Sequence, residues 1–252
     1  MTKQAGRSAR DSVWRADGAR RGGRGGQPSG LDRERITKAS VRLLDAEGLA
    51  KFSMRRLAAE LNVTAMSLYW YVDTKDDLLE LALDATYAEV RLPDPENADE
   101  DWREQLRALA GEYRALLVRH PWLSPLAGRF LNIGPRSLAF SRSVQRVVGR
   151  AGLPRNRVTS AIAAVFQFVY GYGTIEAHFH ARIEDTGLSA DEYLEQAMSM
   201  VAEVPGTAEV ITESRDLMAA RGGDTVAEML DRDFAFALDL LIAGIEAMVA
   251  RG

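Results

Sequence analysis

Few side chains in this sequence could do covalent chemistry. Its 252 residues include no cysteine, which excludes disulfides, thiolate metal sites and cysteine nucleophiles together. The histidines are His120, His178 and His180. The last two, separated by two positions, diverge by about 200° on a helix and cannot share a metal. There is no P-loop and no Gly-x-Ser-x-Gly elbow, and Gly171-Tyr172-Gly173 lacks the third glycine and preceding strand of a dinucleotide site. Asp185, Asp191 and Glu192 read as a solvated face. The expectation is no catalytic residue, no metal, no cofactor and no enzyme.

What remains is the chemistry of recognition, gathered between Ser53 and Lys75. Ala65, Met66 and Ser67 are small or flexible residues that leave room for backbone approach and for contact with thymine methyl groups. Tyr69, Trp70 and Tyr71 carry apolar bodies with polar tips, suited to phosphate oxygens at a groove edge. Either Arg55 or Arg56 could fork onto guanine O6 and N7. Lys75 sits in the first turn of a helix, where a cation opposes the macrodipole by about 0.3–1 kcal/mol. Beside a phosphate, the lysine and the free N–H groups would both be satisfied. The rival reading is a pair of ordinary bundle helices with Tyr69–Tyr71 as core. Against it, three consecutive aromatics at 100° per residue cannot all face inward.

These residues need elements to position them, and the pattern is helical nearly throughout. Ile36, Ala39, Leu43 and Leu44 mark one face of a helix ended by Gly48. Ser53 caps a short helix with Met54, Leu57, Ala58 and Leu61 inward. Asn62 tolerates positive φ in a tight turn. Thr64 caps the next helix, predicted to run through Tyr71 with Leu68 and Val72 inward. Thr74 and Asp77 approach a capping box and open a helix to about Arg91. Helix, tight turn and helix over 53–72, propped by a third helix, form a helix-turn-helix unit. Pro93-Asp94-Pro95 begins a polar linker. Further helices are predicted at about 100–118, 121–131, 136–151, 155–183, 190–203 and 225–250, with a mobile loop over 204–225.

From Phe52 through Val72, and on through Thr74-Lys75-Asp76-Asp77-Leu78-Leu79, the sequence resembles the DNA-binding domain of TetR-family transcriptional regulators. The Leu68-Tyr69-Trp70-Tyr71-Val72 stretch and the following lysine are most similar to the tetracycline-repressor branch. The likeness extends more weakly through Trp102 to Leu117, Val165 to Glu176 and Phe234 to Gly244, thus over roughly residues 31–250. It implies an all-α homodimer, each N-terminal domain reading half of a palindromic operator of double-stranded DNA. In such repressors the position matching Arg55 contacts a base, and those matching Ser53, Ser67, Tyr69 and Lys75 contact backbone or neighbouring base edges. Asn62 stands where the family's turn usually has glycine.

The fold expected is therefore a three-helix, homeodomain-like helix-turn-helix domain over 31–92 followed by a larger helical ligand-binding and dimerisation domain over 98–252. The DNA-binding set is Ser53, Arg55, Arg56, Thr64, Ala65, Met66, Ser67, Tyr69, Tyr71 and Lys75. Trp102, Tyr113, Trp122, Phe130, Phe166 and Tyr170 either line an apolar small-molecule cavity or are plain core. The interior glycines of the 155–183 helix each cost about 0.5–1 kcal/mol relative to alanine and call for a packing reason. Phe168, Gly171, Phe179, Leu240 and Gly244 are assigned to the dimer interface. The histidine, threonine and glutamate that hold the magnesium–tetracycline complex in the tetracycline repressors align with Ala127, Phe130 and Ile175, which implies a different, more apolar inducer.

Charge is uneven along the chain: residues 1–30 carry +5, 31–78 are neutral and 79–252 carry −9, against a total of −4. A basic end on an acidic body orients a chain on a polyanion rather than coating it. The first thirty residues, with only Val13 and Trp14 as sizeable apolar groups, are expected to be a disordered basic tail, either an arm on DNA or simply solvated. No apolar run approaches the ~20 residues of a spanning helix, so no membrane partner and a cytoplasmic location are expected. The function expected is a ligand-responsive regulator, most simply a repressor; the alternatives are a helical carrier without specific DNA binding and a nucleic-acid packaging protein.

Overall fold

The computed structural model describes residues 12–14, 31–94 and 100–251. All regular structure among them is helical. The first helix, α1 (Arg33–Lys51), starts where the Asp32 carboxylate accepts from the Arg35 N–H at 2.7 Å, and it buries Ile36, Ala39, Leu43 and Leu44. Gly48, at φ 75°, interrupts it at the glycine expected to end it. Next come α2 (Met54–Glu60), capped by Ser53, and α3 (Ala65–Leu68), capped by Thr64. Between them Asn62 takes φ 53°, the left-handed conformation expected of it. The short α3 ends at Leu68 rather than Tyr71, and tight-turn hydrogen bonds from the Tyr71 and Val72 N–H groups to the Leu68 carbonyl carry the chain on. The following α4 (Lys75–Thr86) opens with a full capping box between Thr74 and Asp77 and passes into a 3₁₀ turn at Tyr87–Glu89, short of Arg91.

The larger body comprises α5 (Trp102–Arg119), a 3₁₀ turn at Pro121–Leu123, α6 (Ser124–Ala127), α7 (Pro135–Gly149), α8 (Arg155–Glu184), α9 (Ala190–Ala202), α10 (Ala208–Arg221) and α11 (Val226–Ala250). Two expectations change here. The helix over 121–131 is a 3₁₀ turn joined to one α-turn, because Pro121 and Pro125 break the ladder. The loop over 204–225 contains α10, whose weak apolar periodicity hid it: among its described side chains only Ile211 is buried.

The core of the body is α5 against α8, with Leu106, Leu109, Leu116 and Leu117 facing Val165 and Val169. Gly173 supplies the close approach, since a Cβ there would lie 3.2 Å from Leu117 side-chain atoms and 3.4 Å from the Arg114 carbonyl. Arg114 ties three helices together. It forks onto Glu176 of α8 at 2.6 and 2.7 Å, reaches Asp231 of α11 at 2.7 Å, and lies over the Tyr172 and Phe234 rings. By length and composition alone α8 is apolar enough to cross a membrane, contrary to the sequence reading; its apolar faces meet α5, α7 and α11.

The amino terminus brings a further correction. Ser12 and Val13 are docked on α4: the Ser12 hydroxyl and the Val13 N–H donate to the two Glu80 carboxylate oxygens at 2.7 and 2.9 Å, and Val13 is buried. Tail or not, Ser12–Trp14 is folded against the first domain. The remainder of 1–30, and most of the polar linker, lie outside the described residues.

A candidate nucleic-acid interface with a cavity behind it

The packing of α3 decides which of its faces is free. Leu68 and Val72 are fully buried, so Met66 (71 % exposed), Tyr69 and Trp70 are forced outward. Ser67 is half-buried at the same surface, its hydroxyl 2.9 Å from that of Thr64. Ser53 and Thr64 serve first as caps: each side-chain oxygen accepts from the backbone N–H three residues on, at 3.2 and 3.3 Å. Ala65 sits half-buried at the helix start.

The cations separate by partner. Arg55 is exposed and has no ion-pair partner among the described residues. Arg56 is claimed by Glu47 of α1, its Nε donating at 2.8 Å. That contact raises the arginine pKa and lowers the glutamate's, led in each case by the hydrogen bond between them. Two expected contacts are engaged within the fold. The Tyr71 hydroxyl donates to the Leu31 carbonyl at 2.5 Å, and Lys75 Nζ donates to the Phe52 carbonyl at 2.5 Å while lying over the Phe52 ring. Both side chains brace the unit because helix-turn-helix loops leave carbonyls that need donors.

Behind this unit lies an open cavity of about 1090 Å³ between α5, α6, α7 and α8. Of the six aromatics expected around a ligand, Tyr113, Phe166 and Tyr170 line it. The others do not. Trp102 is buried elsewhere, under the Arg103 guanidinium; Phe130 lies beneath Arg129; Trp122 donates from Nε1 to Asp45 at 2.6 Å. Their places are taken by Tyr87 and Phe140, whose rings lie 5.4 Å apart and each contact Tyr113. Burial raises the pKa of both the Tyr87 and the Tyr113 phenol. Ala127 lies on the same wall, whereas Ile175 points to the exterior.

Two joints connect the larger body to the first domain. Asp84 of α4, 1 % exposed, places one carboxylate oxygen on the N-terminus of α7, accepting from Arg136 N at 3.0 Å, Ser137 N at 2.9 Å and Ser137 Oγ at 3.0 Å. An anion is favoured at that end of a helix, and Ser137 is itself on the cavity wall. At the second joint, buried His120 has Nδ1 2.6 Å from Asp45 of α1 and Nε2 3.2 Å from Glu89. Burial opposes its charge, yet the hydrogen bonds and charges of the two carboxylates hold the imidazole pKa above its ordinary value. Neither joint was legible as a motif; the partners are 75 and 52 positions apart or more in sequence for His120–Asp45 and Asp84–Arg136.

The residues assigned to a dimer interface divide. Phe168 packs within the chain, 5.6 Å from Phe234 and 5.7 Å from Tyr172, and Phe179 is set edge-on to Tyr193 of α9 at 5.8 Å. Gly171 and Gly244 face open space, and Leu240 is exposed.

A recognition element pushed outward by its supporting helices, fused to a helical body with an aromatic cavity, defines the class of helix-turn-helix regulators that answer to small molecules. The chain belongs to the TetR family of transcriptional regulators. The family profile for the tetracyclin repressor-like C-terminal domain matches residues 94–249, and that for bacterial regulatory proteins of the tetR family matches residues 36–82. It is 37 % identical over 217 residues to an HTH-type transcriptional regulator of Saccharopolyspora erythraea, covering 86 % of this chain and 85 % of that one. It is 34 % identical to the HTH-type transcriptional repressor DrrR1 of Streptomyces coeruleorubidus, covering 93 % and 84 %. Among solved structures, the Streptomyces coelicolor TetR family protein ActR in complex with actinorhodin superposes with a TM-score of 0.69 at 27 % identity, over 87 % of this chain and 97 % of that one. None of these relatives indicates an enzyme.

Proposed function

We propose that the chain is a one-component repressor released from a palindromic operator by a small molecule, working as a homodimer in the cytoplasm. Residues 31–92 read DNA, and residues 98–252 bind the inducer and pair the subunits. The observation that carries this reading is the outward face of α3: Met66, Ser67 and Tyr69 reach the surface and Arg55 is exposed on the preceding helix, while Leu68 and Val72 anchor the rod from beneath. On DNA, Arg55 supplies base contact, and Ser53, Thr64, Ala65, Met66, Ser67 and Tyr69 meet backbone and groove edge. Arg56 steers through charge while paired to Glu47, and Tyr71 and Lys75 hold the unit's shape.

Pairing is supported by an uncovered stripe along α11, where Phe236 (67 % exposed), Leu240, Gly244 and Met248 recur at helical spacing, and by Gly171 and Ile175 on α8. Two recognition helices must stand about 34–36 Å apart to read successive major grooves, which a pair of subunits provides. A ligand that prefers a different setting of α7 pulls on the Asp84 joint and shifts the pair away from operator spacing; only such differential affinity can move the equilibrium. DrrR1 is named a repressor and ActR is solved with actinorhodin, which favours the same reading here.

The test is a fluorescence-anisotropy titration of the upstream intergenic DNA against random DNA at two salt concentrations. Preference for the intergenic site that survives higher salt is the expected result. Equal affinity for both DNAs points to a packaging protein, and no affinity for either leaves a carrier.

A further inference from the structure

Resting on the reading of the chain as an operator-binding regulator, we infer that Ser12–Trp14 is a strap that holds α4 in its operator-competent setting. The leading segment thereby sets part of the work that a ligand must do to release DNA. The first observation is how the strap grips. Glu80 of α4 is 3 % exposed, and its two carboxylate oxygens accept separately from the Ser12 hydroxyl at 2.7 Å and the Val13 N–H at 2.9 Å. Hydrogen bonds to a charged acceptor are the stronger kind. Beside them Val13, 2 % exposed, belongs to the main hydrophobic core, and Trp14 packs against that core. A leading segment stays in place only where it is tied down, and here a polar clamp and an apolar plug act together.

The second observation is what α4 connects. At its start, Lys75 Nζ donates to the Phe52 carbonyl at 2.5 Å, so that end moves with the helix-turn-helix unit. Asp84, one turn beyond Glu80 and on the same helix face, is held by the N-terminus of α7. Like charges four residues apart repel on a helix, so each carboxylate gains from donors brought from outside it. The strap brings them to Glu80 and the larger body brings them to Asp84. A ligand that draws α7 away therefore pulls on a helix restrained one turn from the point of pull.

The third is room to move. Trp14, Thr37 and Val41 of α1, Leu81 and Ala85 of α4, and Arg136 of α7 line an open cavity of about 580 Å³. Close packing resists displacement, and beside the strap α1 and α4 are not closely packed. A strap that docks on one setting of α4 shifts the equilibrium by its differential affinity, and the linkage is reciprocal. Operator DNA must tighten the strap by the factor by which the strap tightens operator binding.

Amide hydrogen exchange and fluorescence anisotropy on the full-length protein, with the upstream intergenic DNA, read both sides of that linkage. Val13→Asp sets a second carboxylate against Glu80. It should speed exchange across α4 and lower affinity for the intergenic site by about tenfold, the scale of one hydrogen bond to a charged group. Ser12→Ala leaves the apolar plug in place and should act in the same direction, severalfold; Ser12→Thr keeps the hydroxyl and should restore both readouts. In the wild type, added intergenic DNA should slow exchange of the Val13 N–H by a factor matching the affinity lost in Val13→Asp. Deleting residues 2–9 removes Lys3 and Arg7 but keeps the strap, and should leave α4 exchange unchanged. Exchange in α4 that ignores both Val13→Asp and Ser12→Ala, operator affinity unchanged in both, or a 2–9 deletion as costly to affinity as Val13→Asp would overturn the inference. Circular dichroism and thermal melting verify the fold of each variant. A wild type with no preference for the intergenic site overturns the regulatory reading instead, while α4 exchange still judges the strap.

Discussion

Arg55 and Arg56 are adjacent and chemically identical, yet the fold treats them differently. One is free and the other is shared with Glu47. Arg55→Ala is therefore expected to weaken operator binding by about 1–3 kcal/mol and to relax base preference at one position. Arg56→Ala should weaken binding to operator and random DNA alike, as anisotropy on both DNAs will read out. Unchanged selectivity in the Arg55 variant would remove its base contact. His120 provides a second test at this scale. Its pKa is raised in the folded protein, so the stability it contributes is fully present below the unfolded value near 6.5 and is lost as pH climbs through the folded one. The melting-temperature gap between wild type and His120→Gln should be widest at about pH 5.5 and shrink towards pH 8.5; a gap independent of pH would mean that the ring is neutral throughout.

At the level of elements, what could be read from sequence was what neighbours in sequence decide. Asn62, Gly48 and the Thr74–Asp77 capping box lie within a turn of the structure they control, and all behaved as expected. What a distant helix decides was hidden. Nothing adjacent to Asp84 in sequence announces its role, which the N-terminus of α7 sets. Trp102 and Trp122 carried the same apolar signal as Tyr113, and only packing told core from cavity. The length of α3 was overestimated because the aromatic run continues past the point where the hydrogen bonds tighten into a turn. The α4–α7 joint has its own test. A Cβ at Gly134 would fall 2.2 Å from an Asp84 carboxylate oxygen. Gly134→Ala should destabilise the protein by about 1–3 kcal/mol, whereas Gly128→Ala, with nothing within 4 Å, should leave the fold in place by thermal denaturation.

For the whole molecule, the sequence already separated a basic leading segment from an acidic body, and the helical class followed from the periodicity. The cavity did not: Asn132 and Ser137 belong to no repeating pattern, yet both line it. Assembly is where the single chain leaves most surface unexplained. Leu240→Glu puts a charge in the middle of the open α11 stripe. Sedimentation velocity should then show a monomer with its helicity intact, and operator affinity should fall by about a hundredfold or more as the gain from two linked contacts disappears. A variant that stays dimeric would place the contact elsewhere.

The outward projection of Met66, combined with the absence of any native thiol, makes the protein unusually convenient to instrument. In the homodimer proposed above, cysteine at that one position would attach a single nitroxide to each subunit, and dipolar spectroscopy would then read the spacing of the two α3 rods as a ruler. In the ligand-free state that ruler should centre near the 34 Å repeat of the duplex. Any compound that acts through the joint at Asp84 should move or broaden the distribution before a strand of DNA is added.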